Sequence, residues 1–339
     1  MKLLSAVIKD ISNIPGWRTK ERLVVFESDD WGSIRMPSQQ VFENLIKAGI
    51  PLLSDEGSRF NKFDSLATEE DLVSLFGVLE SVQDATSRPA VFTPFVLVAN
   101  PVFNKIRDTN FSEFIYEPFT ETLLRYPGCE NSFDKWKEGI SHRLFVPQFH
   151  GREHLNVRIW LKALQGGNNG VLAAFENNMW GISTAGDSTI GTELQAAFDV
   201  LEAEDLTYQK TVISSGLQLF RELFGYNARC FVPPNGPFST SLEEVCYNEG
   251  IRYITTPKIH KDPLPGGRKV TRPVSYTHLR AHETPEHLVC RLLLEKKNIK
   301  QALTTSTLRC ATFTPTLIHL RFTSLRHLLP PISTLHKAQ

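Results

Sequence analysis

Leu23-Val24-Val25-Phe26-Glu27-Ser28-Asp29-Asp30-Trp31-Gly32 is a short apolar run that ends in two adjacent carboxylates, a tryptophan and a glycine. Leu23 to Phe26 show no polar alternation, as expected of a strand buried on both faces of a parallel sheet. The carboxyl ends of such strands are where α/β proteins build their sites. Two acids side by side there repel each other, so a cation or a shared proton is needed to hold both. The plain alternative is a turn in which an aspartate caps the next helix.

Working outward, the rest of the chain alternates β-like runs with helical patterns. Thr68-Glu69-Glu70-Asp71 opens an amphipathic helix, with Thr68 as cap, acids in the first turn and Leu72, Leu75, Phe76 and Leu79 at helical spacing. Ala90-Val91-Phe92 and Phe95-Val96-Leu97-Val98 read as strand material around Pro94, and Leu144-Phe145-Val146 approaches a strand end before Gln148-Phe149-His150. Helices are expected near 192–204 and 207–224, the second stopped by Gly225. A strand at 229–232, a helix near 239–248 and a strand at 252–256 follow. Strands alternating with helices argue for a parallel sheet or barrel. Residues 101–140 have no clean periodicity and read as an insertion beside the site.

Composition is that of an ordinary globular protein, with 41% hydrophobic and 22% charged residues. No apolar run approaches the roughly 20 residues needed to cross a bilayer. The opening Met1-Lys2-Leu3-Leu4-Ser5-Ala6-Val7-Ile8 is broken by Lys9-Asp10 too early for an export signal, which points to a cytoplasmic location. Five cysteines without CxxC spacing suggest neither a disulfide framework nor a thiolate zinc site.

The C-terminal part is foreign to this pattern. Val274-Ser275-Tyr276-Thr277-His278-Leu279-Arg280-Ala281-His282-Glu283-Thr284 resembles one reading frame of a transposon-end sequencing adapter. Leu288 to Lys297 resemble its constant end running into oligo-A, with Pro285-Glu286-His287 where a variable index would lie. From Asn298 to Gln339 there is no Asp, Glu or Gly, whereas folded surfaces mix charge signs and turns need residues that tolerate positive φ. The expected organisation is therefore one domain over 1–272, an adapter artefact over 273–297 and a spurious tail over 298–339. The apparent charge balance hides this division. Of 37 basic and 37 acidic residues, nine and three lie after residue 272, leaving 28 and 34 in a mildly acidic body. Such a body carries no electrostatic footprint for nucleic acid.

The second chemical feature is His150-Gly151-Arg152-Glu153-His154. Histidines at i and i+4 share a helical face, so both can reach one metal. Only four histidines precede residue 273 (His142, His150, His154 and His260), and His142 and His260 have no partner at ligand spacing, so they read as surface residues. The bland alternative is a pair of solvated histidines at a helix start. One aspartate and the two histidines would make a three-ligand site of the catalytic zinc type, with the other aspartate free as a base. Bound zinc acidifies its water and polarises a carbonyl.

A strand ending in Asp-Asp, followed more than a hundred residues later by His-x-x-x-His, resembles the polysaccharide deacetylase family. The resemblance spans roughly residues 20–260. It implies an α/β fold, a distorted (β/α) barrel of about seven strands, here truncated at its C-terminal end. It implies Asp29 as catalytic base, Asp30, His150 and His154 as ligands of one divalent metal, and hydrolysis of acetyl groups, N- or O-linked, on a carbohydrate substrate. Zinc is the first expectation, with Co, Ni, Mn or Fe as alternatives. Phe231-Val232-Pro233-Pro234-Asn235-Gly236 resembles the family's groove wall, although Val232 stands where an Arg is expected. Pro233, Pro234 and Asn235, with Trp31, are the expected substrate-facing residues; a simple Pro-Pro turn is the alternative. The family also uses a late histidine as general acid, which nothing in 1–272 matches, so the chain as it stands is expected to be inactive.

Two other readings remain. Two histidines and a carboxylate also form the facial triad of non-haem iron oxygenases, usually set in a β-sandwich or cupin barrel. A metal- or glycan-binding relative without turnover, or an inactive fragment, would carry the same residues.

Overall fold

The computed structural model describes residues 24–50, 52, 58–184, 186–257, 259–273 and 318–322. The N-terminal stretch 1–10 and the adapter-like stretch 274–297 lie outside the described residues. Strand β1 (Val24–Trp31) leads to helices α1 (Gln39–Lys47), α2 (Ser58–Phe63) and α3 (Glu69–Ser81). Strands β2 (Phe92–Leu97) and β3 (Ala99–Pro101), helix α4 (Phe103–Asp108) and strand β4 (Tyr116–Pro118) come next. Helices α5 (Phe119–Arg125) and α6 (Ser132–Ser141) precede strand β5 (Gln148–Gly151). Helices α7 (Val157–Gln165), α8 (Asn169–Glu176) and the long α9 (Ala203–Phe224) then lead to β6 (Cys230–Phe231). Helix α10 (Glu243–Asn248), strand β7 (Tyr253–Ile254) and a hairpin of β8 (Ile259–Leu264) and β9 (Arg268–Pro273) follow, and β10 (Ile318–Phe322) is the last described strand.

The local chemistry explains several boundaries. Thr68 accepts from the Asp71 amide while the Asp71 carboxylate accepts from the Thr68 amide, a reciprocal cap that starts α3 where the sequence pattern placed it. Gly225 ends α9 in the left-handed conformation, φ 76°, which costs glycine nothing. Two expectations fail. Residues 192–202 form irregular turns rather than a helix, because buried side chains from elsewhere hold their carbonyls: Asn156 donates to Ala196 and Asp199, and Gln209 to Asp199. The strand expected near 144–146 lies instead at β5, with only an isolated bridge between Phe145 and Phe92.

Strands β10, β1, β2, β5, β6 and β7 lie side by side in that order, all parallel. Pro94 runs through the middle of β2 and stands opposite Ser28, where the β1–β2 register breaks, so its missing N–H falls at an irregular rung. Among the described residues the sheet is open from β10 to β7, and the barrel expected from sequence is not formed. Strands β6 and β7 are only two residues long, and β8–β9 pair antiparallel with each other rather than closing the sheet. The tail contributes one described element: Ile318–Phe322 pairs with Val24–Ser28 along the free edge of β1.

Two apolar clusters form the core, the first including strand residues such as Val96, Phe149 and Phe231 and the second built from helix and loop residues. In the first, Trp31, Phe92, Trp136 and Phe145 pack edge to face and stacked around the start of the sheet. In the second, Trp160, Phe175 and Trp180 fill the space under α7 and α8. The hairpin docks onto the loop before α9 through a Gly266 amide to Leu201 carbonyl bond and a Lys269–Asp199 ion pair of 2.7 Å. His260, expected on the surface, is buried on that hairpin at 4% exposure, on the same strand face as the fully buried Asp262, which accepts from Thr240.

Candidate metal centre

The two acids of β1 lie in an irregular stretch of strand. The β1–β2 register shifts between Ser28 and Trp31, and Asp30 adopts φ +68°, a left-handed conformation uncommon outside glycine. Gly32 follows at φ +84°, where an added Cβ would lie 2.5 Å from the Leu97 carbonyl oxygen. The turn is held from β3, where the Asn100 amide donates to the Gly32 carbonyl and its oxygen accepts from the Ile34 amide. Trp31 packs into the aromatic core, while the side chain of the preceding Asp30 is 18% exposed.

Strand β5 supplies His150, and the loop after it supplies His154. The helical face expected for this pair is replaced by a strand end and a turn. Gly151 between them has φ +150°, accessible to glycine, and a Cβ there would press on the Glu153 carbonyl oxygen at 3.2 Å. The turn is braced by a buried two-pronged pair, Arg152 Nε and Nη2 to the two Glu153 oxygens at 2.6 and 3.0 Å. Arg152 also donates to Ser215 and lies 4.3 Å over the Tyr116 ring. Neither histidine is solvated: their side chains are 2% and 4% exposed.

The three side chains converge. Oδ1 of Asp30 lies 3.2 Å from Nε2 of His150 and 3.3 Å from Nε2 of His154, and all three donor atoms lie within 4.8 Å of one another. His150 Nδ1 is 2.6 Å from the Val232 carbonyl, an acceptor only, so Nδ1 carries a proton. In the neutral ring Nε2 is then a lone pair aimed at a carboxylate lone pair, an arrangement that needs a proton or a cation between them. Ligands about 2.0–2.1 Å from a tetrahedral metal are separated by about 3.3–3.4 Å, close to both separations found here. Burial pushes the His154 imidazole down to about 3, keeping it in the neutral form a metal requires. For Asp30, burial raises the carboxyl, but Arg35, His154 and His150 outweigh it and hold it well below the usual range. His154 Nδ1 is buried with no partner among the described residues.

Of the other residues expected from sequence, Asp29 is half-buried and lies within reach of the Arg35 charge. Trp31, expected to face substrate, is 8% exposed and packs against Phe92, Trp136 and Phe145, on the strand face opposite its neighbour Asp30. Pro233 and Pro234 are buried, and the space over Gly151 is bounded by Pro234 at 3.6 Å, so this turn does border the histidine strand. Asn235 is exposed at φ +53°.

Arg35 joins the site although no sequence motif marks it. Its Nη2 donates to Asp30 Oδ2 at 2.6 Å and its Nη1 to Gln195 Oε1 at 3.0 Å. Asp64 accepts from the Arg35 and Met36 amides, and Trp180 donates to the Ile34 carbonyl while stacking on His154. The one available signal for Arg35 was a basic residue five positions after a buried acid; Asp64, Gln195 and Trp180 had none.

No protein-family model matches the chain, and no curated protein matches it. Among solved structures the chain resembles IcaB from Ammonifex degensii, with 14% identity over 74% of this chain and 93% of that one, at a TM-score of 0.32. It also resembles a de-N-acetylase from Aggregatibacter actinomycetemcomitans, with 14% identity over 68% and 86% and a TM-score of 0.31. At these scores neither neighbour decides the chemistry, which rests on the donor atoms themselves.

Proposed function

We propose that this chain derives from a metal-dependent hydrolase that removes acetyl groups from a carbohydrate. The observation that carries the reading is the meeting of Asp30 Oδ1 with the Nε2 atoms of His150 and His154 at 3.2 and 3.3 Å. The resemblance of the Asp-Asp and His-x-x-x-His motifs to polysaccharide deacetylases supports the substrate class. A divalent cation held there would polarise an acyl carbonyl and acidify water. Asp29, next in the chain to a ligand, is the proposed proton acceptor. His150 and His154 are held away from water, while the partly exposed side of Asp30 is where substrate approaches. The turn of Pro233, Pro234 and Asn235 borders this approach, and Trp31 acts on it through the core by fixing the β1 bulge. Zinc fits the two-nitrogen, one-oxygen donor set. The iron-oxygenase alternative has the same donors but is at odds with a parallel α/β sheet.

Residues 273–297 belong to a translated adapter and 298–339 to no native domain. On this reading the general acid belongs to native residues that the adapter displaced, and turnover belongs to the parent. Resequencing across codon 273 tests this directly, and an unchanged tail would overturn it. The chain as given should bind one divalent metal, and the parent with its native C-terminus should release acetate from N- or O-acetylated sugars. Metal binding without acetate release by that parent would leave a binding protein instead.

A further inference from the structure

We propose that Arg35 is a positioning residue that makes Asp30 a one-oxygen ligand; this rests on the metal reading above. A free carboxylate can meet a cation through one oxygen or both. Here Oδ2 is taken by Arg35 Nη2 at 2.6 Å, and only Oδ1 faces the two imidazoles. A charge-assisted bond of this length is among the stronger side-chain hydrogen bonds.

Arg35 is itself fixed at both ends. Its amide and that of Met36 donate to one oxygen of Asp64, at 2.6 and 3.0 Å. Its guanidinium donates to Gln195, whose own amide donates to the Gly181 carbonyl at 2.8 Å. The rings of Trp180 and Phe60 lie 5.9 Å from the guanidinium carbon. Gly181 makes room for the arginine stem, since a Cβ there would come within 2.9 Å of Arg35 Cβ.

The test reads coordination rather than turnover. The full chain is loaded with Co(II), whose visible d–d absorption weakens as coordination number rises, and is compared with Arg35→Met and Arg35→Lys. In Arg35→Met the second Asp30 oxygen is free to bind, so the visible intensity should drop by about twofold or more at one cobalt per chain. Arg35→Lys, which keeps a donor at Oδ2, should recover part of it. An Arg35→Met spectrum that superimposes on wild type at equal cobalt content overturns the inference while leaving the metal site intact. A wild-type chain that binds no cobalt instead overturns the metal reading and this inference with it. Should Arg35→Met fail to fold by near-UV circular dichroism, Gln195→Leu loosens the guanidinium without removing it. An unchanged Gln195→Leu spectrum then counts against the proposal, and a weakened one supports it.

Discussion

Nδ1 of His150 donates to the carbonyl of Val232 over 2.6 Å, joining the end of β5 to the residue that follows β6. This bond fixes the ring orientation and tautomer of His150, the part an outer-shell partner plays toward the proposed metal ligand. It also makes the neighbouring strand part of the site: displacement of β6 would turn the imidazole away from Asp30.

Zinc should therefore stabilise the folded chain through His150. At a free concentration one hundred times Kd, binding contributes about 2.7 kcal/mol. For a domain of this size that raises Tm by about 5–10 °C. His150→Ala should abolish the zinc-dependent rise in calorimetry. It should also leave the Val232 carbonyl without its donor, costing the metal-free protein about 1–3 kcal/mol. A zinc response that survives in His150→Ala would place the metal elsewhere.

Asp29→Asn separates base from ligand. In the parent carrying its native C-terminus, acetate release should fall by about 10²–10⁴-fold, the usual contribution of a general base. Zinc affinity measured by titration calorimetry should change little, because Asp30 supplies the ligand oxygen. Equal losses of affinity and turnover would assign Asp29 to the metal instead.

Alkaline pH should unfold the protein through groups far from the site. Burial pushes the Tyr226 phenol and the Cys246 thiol well above their ordinary values, and Tyr226 donates to the Pro147 carbonyl at 2.8 Å. Above about pH 10 the unfolded chain releases the tyrosine proton while the folded chain keeps it. The unfolded state then binds fewer protons, so stability falls with rising pH by about 1.4 kcal/mol per unit for that group. Tyr226→Phe should flatten this slope in urea titrations above pH 10, and an unaltered slope would refute the assignment.

The sequence disclosed the site better than its scaffold. The convergence of Asp30, His150 and His154 was legible because chemistry restricts which residue types group this way, whatever backbone carries them. The backbone itself was misjudged: i, i+4 spacing suggested a helix, but Gly151 at φ +150° lets a strand end and a turn bring the same two rings to 5.3 Å. Trp31 directly follows Asp30 and so takes the opposite face of the strand, away from the three converging side chains. The turns at 192–202 could not be foreseen, because their carbonyls are held by Asn156 and Gln209, which lie outside the segment in sequence. Arg35 was invisible for a similar reason, since its partners Asp64 and Gln195 are joined to it only by the fold.

Gly32 offers a direct test of how the β1 bulge governs the site. Its φ of +84° already disfavours any side chain, by about 1–2 kcal/mol for a left-handed conformation. An alanine Cβ would also lie 2.5 Å from the Leu97 carbonyl oxygen, a main-chain atom of the neighbouring strand that cannot swing aside. Gly32→Ala should thus lower the urea midpoint by the equivalent of about 2–4 kcal/mol. Gly225→Ala is the matched control, because that glycine has φ +76° but nothing within 4 Å of an added Cβ. It should lose only the conformational part. Since β1 and β2 must separate to admit the methyl group, and Asp30 lies two residues before Gly32, zinc affinity should fall in Gly32→Ala and hold in Gly225→Ala. Equal stability losses in the two variants would show that the contact with Leu97 does not constrain the bulge. Unchanged zinc affinity in Gly32→Ala would show that the bulge does not set the position of Asp30.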